Sequence, residues 1–165
     1  MKKLFIIALL ALSLTACGRE RSAINLSGNM KLFSAREYTI ELPEECENTA
    51  SELVEIAAQY EGCSVTVVSM PIDQATLSEN KTEFAGYMES MGYNLTVTDY
   101  EKTEINGLDA YRADYSLEKT NITQFTFAAG DIAYVATYAR PGDVGKDIDE
   151  KFIEGLESFE LKMEE

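Results

Sequence analysis

The sequence predicts an α+β domain built around a mainly antiparallel sheet, and three observations predict it. Four strand-like segments follow one another between Leu95 and Ala139, joined by turns too short for crossover connections, which reads as an antiparallel meander. Two further segments, 77–90 and 143–159, carry apolar residues at helical spacing and must bury that face against a neighbouring layer. Setting aside the first 16 of 165 residues leaves 149, enough for one domain with a real core and too few for two.

Those first residues are set aside because they read as a processed leader. Lys2 and Lys3 precede an apolar run from Leu4 to Leu14, which is short of the roughly 20 residues a spanning helix needs. Leu14-Thr15-Ala16-Cys17 then forms a lipobox, the pattern in which the cysteine is acylated and becomes the first residue of the mature chain. Cleavage after Ala16 without lipidation is the rival reading. The expected division is a signal peptide over 1–16, a lipidated Cys17 with a polar tether over 17–29, and a domain over 30–165.

Within the domain, Met30 to Phe33 and Tyr38 to Leu42 have strand character, and Pro43 ends the second. Residues 51–60 are ambiguous: Leu53, Ile56, Ala57 and Tyr60 fit a helical face, while the adjoining Glu61-Gly62 turn and the strand Ser64 to Met70 fit a hairpin, and strand is the choice that the family resemblance given below implies. The first helix is expected from Leu77 to about Ser90, opened by a Thr76/Glu79 capping box and closed by Gly92, with Leu77, Phe84, Tyr87, Met88 and Met91 inward. Asn106-Gly107 marks a tight hairpin turn. In the strand after it, Tyr111, Ala113, Tyr115 and Leu117 share one face, while Arg112, Asp114 and Ser116 share the other. Lys119-Thr120-Asn121 and Gly130-Asp131 are the next turns, and Pro141-Gly142-Asp143 leads into the last helix. Val144, Ile148, Phe152, Ile153, Leu156 and Phe159 fall on one face of that helix.

Composition narrows the chemistry. Without Lys2 and Lys3 the chain carries 12 basic and 29 acidic side chains, a net charge of −17, which repels nucleic-acid phosphate and anionic headgroups. No histidine is present, which removes His-dependent hydrolases and His-ligated metal sites. Asp147, Asp149 and Glu150 sit early in the last helix but lack the spacing of a Ca²⁺ loop. An enzyme made from what remains would be a carboxylate-based hydrolase drawing on acids such as Asp99, Asp109 or Asp114. Cys46 and Cys63 are the two thiols left beside Cys17. A bridge would close a loop worth about 3 kcal/mol, yet the strand layout puts the two near opposite ends of one strand, beyond the roughly 7 Å limit on Cα separation, so bridge and thiols both stay open. Six of the nine tyrosines fall between Tyr93 and Tyr138, where core packing and an aromatic binding platform are the two readings.

The order of elements, the Leu42-Pro43 strand end, the segment Gly107-Leu108-Asp109-Ala110-Tyr111 and the closing Leu156-Glu157-Ser158-Phe159 resemble the PsbP-like superfamily, which takes in PsbP and bacterial lipoproteins such as DcrB. The resemblance spans about residues 30–161. It implies a three-layer α/β/α sandwich with a central sheet of about six strands. It also implies a non-enzymatic module that binds or stabilises a larger protein assembly, without a cofactor. The expectation is therefore a lipoprotein held at the outer side of a cell membrane, or on the outer membrane where the host has one. Its partner would be an envelope protein, with a small ligand or cation, or hydrolysis, as the alternatives.

Overall fold

Alternating burial along the strands builds the sheet that the sequence predicts. In the computed structural model, which describes residues 26–50, 54–72, 77–142 and 144–162, the chain runs β1 (Met30–Ser34), β2 (Tyr38–Pro43), β3 (Glu47–Asn48), β4 (Ile56–Tyr60) and β5 (Cys63–Pro71). After α1 (Lys81–Ser90) come β6 (Leu95–Ile105), β7 (Leu108–Leu117), β8 (Thr120–Ala129) and β9 (Ile132–Pro141), then α2 (Lys146–Glu157) and β10 (Glu160–Leu161). The central sheet has seven strands in the order β3-β4-β5-β9-β8-β7-β6, every pair antiparallel, against the six or so expected. The surplus comes from β3, whose two residues carry no strand signal of their own. The opening hairpin does not join this sheet; β1 and β2 form a separate three-stranded sheet with β10.

Three layers result. On one face of the central sheet lie α2 and the small sheet, where Tyr38, Ile40, Leu42, Phe152, Leu156 and Phe159 meet Val65, Phe125, Phe127 and Tyr138. On the other face α1 sets Phe84 and Met88 against Val97, Ala113, Tyr115 and Ile122. Beside it, Val54, Ala57, Val68 and Val135 form a smaller apolar group. The face assignments for β7 and α2 hold, and segment 51–60 is a strand from Ile56 onward; residues 51–53 lie outside the described part.

The first helix begins later than its sequence suggests. Asn80 is the N-cap, its Oδ1 accepting from the Thr82 and Glu83 N–H groups at 3.1 Å each, so Leu77 stays outside the helix. Thr76 of the expected capping box is not among the described residues. The helix stops where expected, with Gly92 left-handed at φ 90°. The last helix is also shorter than 143–159, starting after the N-cap Gly145 and ending at Glu157, and Phe159 reaches the core from beyond its end.

Asn106 and Gly107, at φ 48° and 83°, form the tight turn between β6 and β7. The next turn falls at Glu118-Lys119 rather than 119–121, because Leu117 pairs with Thr120.

Candidate functional site

The inward polar residues of β7, β8 and β9 gather beside α2. Period-two alternation puts Arg112, Asp114, Thr123, Tyr138 and Arg140 on the face that α2 only half covers. Arg112 Nε donates to Asp114 Oδ2 at 2.9 Å. Thr123 Oγ1 donates to Asp114 Oδ1 at 2.5 Å and accepts from Arg140 Nη1 at 3.2 Å. Arg140 Nε pairs with Asp149 Oδ1 at 2.9 Å, and Tyr138 Oη donates to the same oxygen at 3.0 Å. Tyr138 Oη also lies 3.6 Å from Cys63 Sγ. Both guanidinium groups rest on aromatic rings, Arg112 over Phe125 at 5.8 Å and Arg140 over Tyr138 at 5.1 Å.

This chain of contacts ties three strands to the first turn of α2. Its ion pairs are largely shielded, with side-chain exposures of 26% and 20% for Arg112 and Asp114 and 16% and 24% for Arg140 and Asp149. Groups this desolvated contribute little net stability as pairs, but each is costly to leave alone, so they reward one strand register over its neighbours.

The three acids singled out from sequence do not converge. Asp109 is exposed and pairs with Lys102 at 2.8 Å. Asp114 belongs to the network above. Asp99 stands directly across from it in the β6–β7 register, exposed, its Oδ1 accepting from the Tyr100 N–H at 2.8 Å. Asp114 is engaged by an arginine and a threonine while Asp99 is exposed to solvent, an arrangement unlike the enclosed cleft of a glycosidase pair.

Cys46 and Cys63 are both buried. They do not share a strand. Glu47, next to Cys46, pairs with Gln59, and Cys63 pairs with Tyr60, so β4 runs between them. Burial pushes the Cys46 thiol up to about 12, Lys31 opposing this and Cys63 adding to it. Such a group holds almost no thiolate at neutral pH. Cys17 lies outside the described residues.

The tyrosines are mainly core. Tyr38, Tyr115 and Tyr138 are almost fully buried, and burial raises each phenol above its ordinary value, reinforced at Tyr38 by Glu55 and at Tyr138 by Cys63 and Asp149. Tyr100, stacked on Tyr111, is pushed up to about 12 by burial. An unfolded tyrosine ionises near pH 10, so above that pH the folded chain holds protons that the unfolded chain releases, and stability falls as pH rises. In an alkaline titration part of the tyrosinate absorbance should appear early, and the remainder together with loss of circular dichroism. Complete ionisation with the dichroism intact would contradict this burial.

An open groove of about 460 Å³ runs between Leu26 and Gly28 on one side and Asp147, Glu150, Lys151 and Glu154 of α2 on the other. It lacks the mostly apolar lining of a small-molecule site. Among the described residues no three His, Cys, Asp or Glu side chains are grouped to hold a metal ion.

No protein-family model matches this chain, and no curated protein does. Among solved structures it is similar to cyanobacterial PsbP from Synechocystis sp. PCC 6803, with a TM-score of 0.60 and 14% identity, covering 90% of this chain and 99% of that one. A protein of unknown function from Pseudomonas aeruginosa aligns with a TM-score of 0.45 and 12% identity, covering 82% of this chain and 99% of that one. At such identities likeness speaks to architecture, and the architecture of this chain is PsbP-like.

Proposed function

We propose that this chain is an extracytoplasmic lipoprotein, anchored through Cys17, whose PsbP-like domain is a non-enzymatic binding module for an envelope protein. One observation carries the binding reading: the charged side chains that the sheet turns inward bind one another, from Arg112 through Asp149, which leaves recognition to the acidic exterior. Such a surface favours fast, salt-sensitive encounter with a basic patch. The lipobox supports the anchor, and the short tether keeps the domain near the bilayer.

Membrane fractionation of wild type and Cys17→Ala tests the anchor, the variant being expected in the soluble fraction; equal distribution would refute it. Affinity capture of the lipidated protein from membranes at low and high salt tests the partner. A recurring protein lost at high salt is the expected result. Capture of nothing, together with thermal stabilisation by Ca²⁺ or a soluble metabolite, would favour a ligand-binding lipoprotein instead.

A further inference from the structure

The two edges of the central sheet are finished differently. One ends in β3, two residues long and too short to template another strand. The other ends in β6, eleven residues long, whose one paired strand among the described residues is β7. Past the bulge between Val97 and Asp99, β6 follows β7 in unbroken register to Ile105.

Backbone direction along this edge follows from the hairpin. Ile105 and Leu108 flank the two-residue turn as a hydrogen-bonded pair, so Thr103 and Glu101 also bond to β7, while Tyr100, Lys102 and Glu104 point their N–H and C=O groups outward. The Tyr100 N–H bears this out, bonding to the Asp99 side chain and not to β7. Side chains close the first part of the edge: Lys81 Nζ donates to the Thr98 carbonyl at 3.1 Å, and Asp99 takes the Tyr100 N–H. Lys102 and Glu104 remain, with outward backbone groups that no described residue meets.

The charge along this stretch is one-sided. Asp99, Glu101 and Glu104 are exposed, and the one basic residue among them, Lys102, is paired with Asp109. A second copy would bring acid against acid, since like charges opposed across strands are destabilising. An incoming strand with lysine or arginine at alternate positions would meet complementary charge as well as the open backbone groups.

We infer that the β6 edge around Lys102 and Glu104 is the docking site, and that it takes an extended, basic segment of the envelope protein as an added strand. This rests on the binding-module reading above. The probe is a short synthetic peptide alternating lysine and valine, titrated into isotope-labelled protein, with its glutamate–valine counterpart as control. The lysine peptide should slow amide exchange at Lys102 and Glu104, and should bind about tenfold more weakly at high salt. Shifts mapping to α2 or β3, or equal binding of the acidic peptide, would overturn the assignment. Glu104→Pro removes an outward N–H that an edge strand can spare, and is expected to keep the fold and bind the peptide at least about tenfold more weakly, whereas Glu104→Ala keeps most binding. If wild type and Glu104→Pro capture the same salt-sensitive membrane partner equally, the edge assignment fails and the binding-module reading stands. If wild type captures none, that reading fails and takes the edge assignment with it.

Discussion

Replacing Phe152 by alanine is expected to cost about 3–5 kcal/mol of folding stability, the range for deleting a fully buried aromatic side chain. Phe152 is 0% exposed and stacks on Tyr138 with ring centroids 4.7 Å apart and planes 3° from parallel. The cavity would open where α2 meets the sheet, under the Arg140–Asp149 pair, so little can relax into it. Phe84→Ala should cost a similar amount on the opposite face, where its ring meets Tyr100 at 5.3 Å and Tyr115 at 5.6 Å. Leu32→Ala is the control, at 62% exposure, and should change stability by no more than about 0.5 kcal/mol. Chemical denaturation of the three variants checks this; losses under about 1 kcal/mol at both phenylalanines would mean the two helices do not bury these faces.

A second pair of substitutions should move stability in opposite directions although both replace a helical glycine by alanine. At Gly86 in α1 an added Cβ meets nothing within 4 Å, and the gain in helix propensity should stabilise by roughly 0.5–1 kcal/mol. At Gly155 in α2 the same Cβ would stand 2.7 Å from the Glu41 carbonyl oxygen and 3.0 Å from Leu42 Cδ2. One obstacle is backbone, so α2 must lift from β2, and the cost of roughly 1–3 kcal/mol for overpacking should exceed the propensity gain. Thermal melts of the two variants decide it; a stabilised Gly155→Ala would show that α2 does not approach β2 this closely. Ser158 marks the same seam, its Oγ accepting from the Glu41 N–H at 2.7 Å.

Local signals made the meander and both helices legible. Asn106-Gly107 forces its turn, and the alternation through Tyr111, Ala113 and Tyr115 assigns the faces of β7 because one face must be buried. Helix starts were less legible, since Thr76 and Asn80 are both good caps in sequence, and the chain uses Asn80. The small sheet was not legible, because Glu160-Leu161 becomes a strand only through its partner β2, far away in sequence. The polar network escaped for the same reason. The sequence puts Arg112 and Asp114 on the strand face opposite Tyr111, Ala113 and Tyr115, and only cross-strand register brings Thr123, Arg140 and Asp149 to them. Inward-phased charges of both signs on β7 and β9 were the available clue.

The closure of the small sheet by β10 bears on how the polypeptide comes to fold at all. Glu41 and Ser158 are joined across 117 positions, and the Phe159 ring sits 5.0 Å from Tyr38, 4.3 Å from Phe127 and 5.3 Å from Tyr134. The first strands and the last core ring thus complete one another, and the loop-closure entropy between them must be met before either is rewarded. A chain stopped short of Phe159 would keep α2 but lose both the ring that joins Tyr38, Phe127 and Tyr134 and the β10 strand that closes the small sheet.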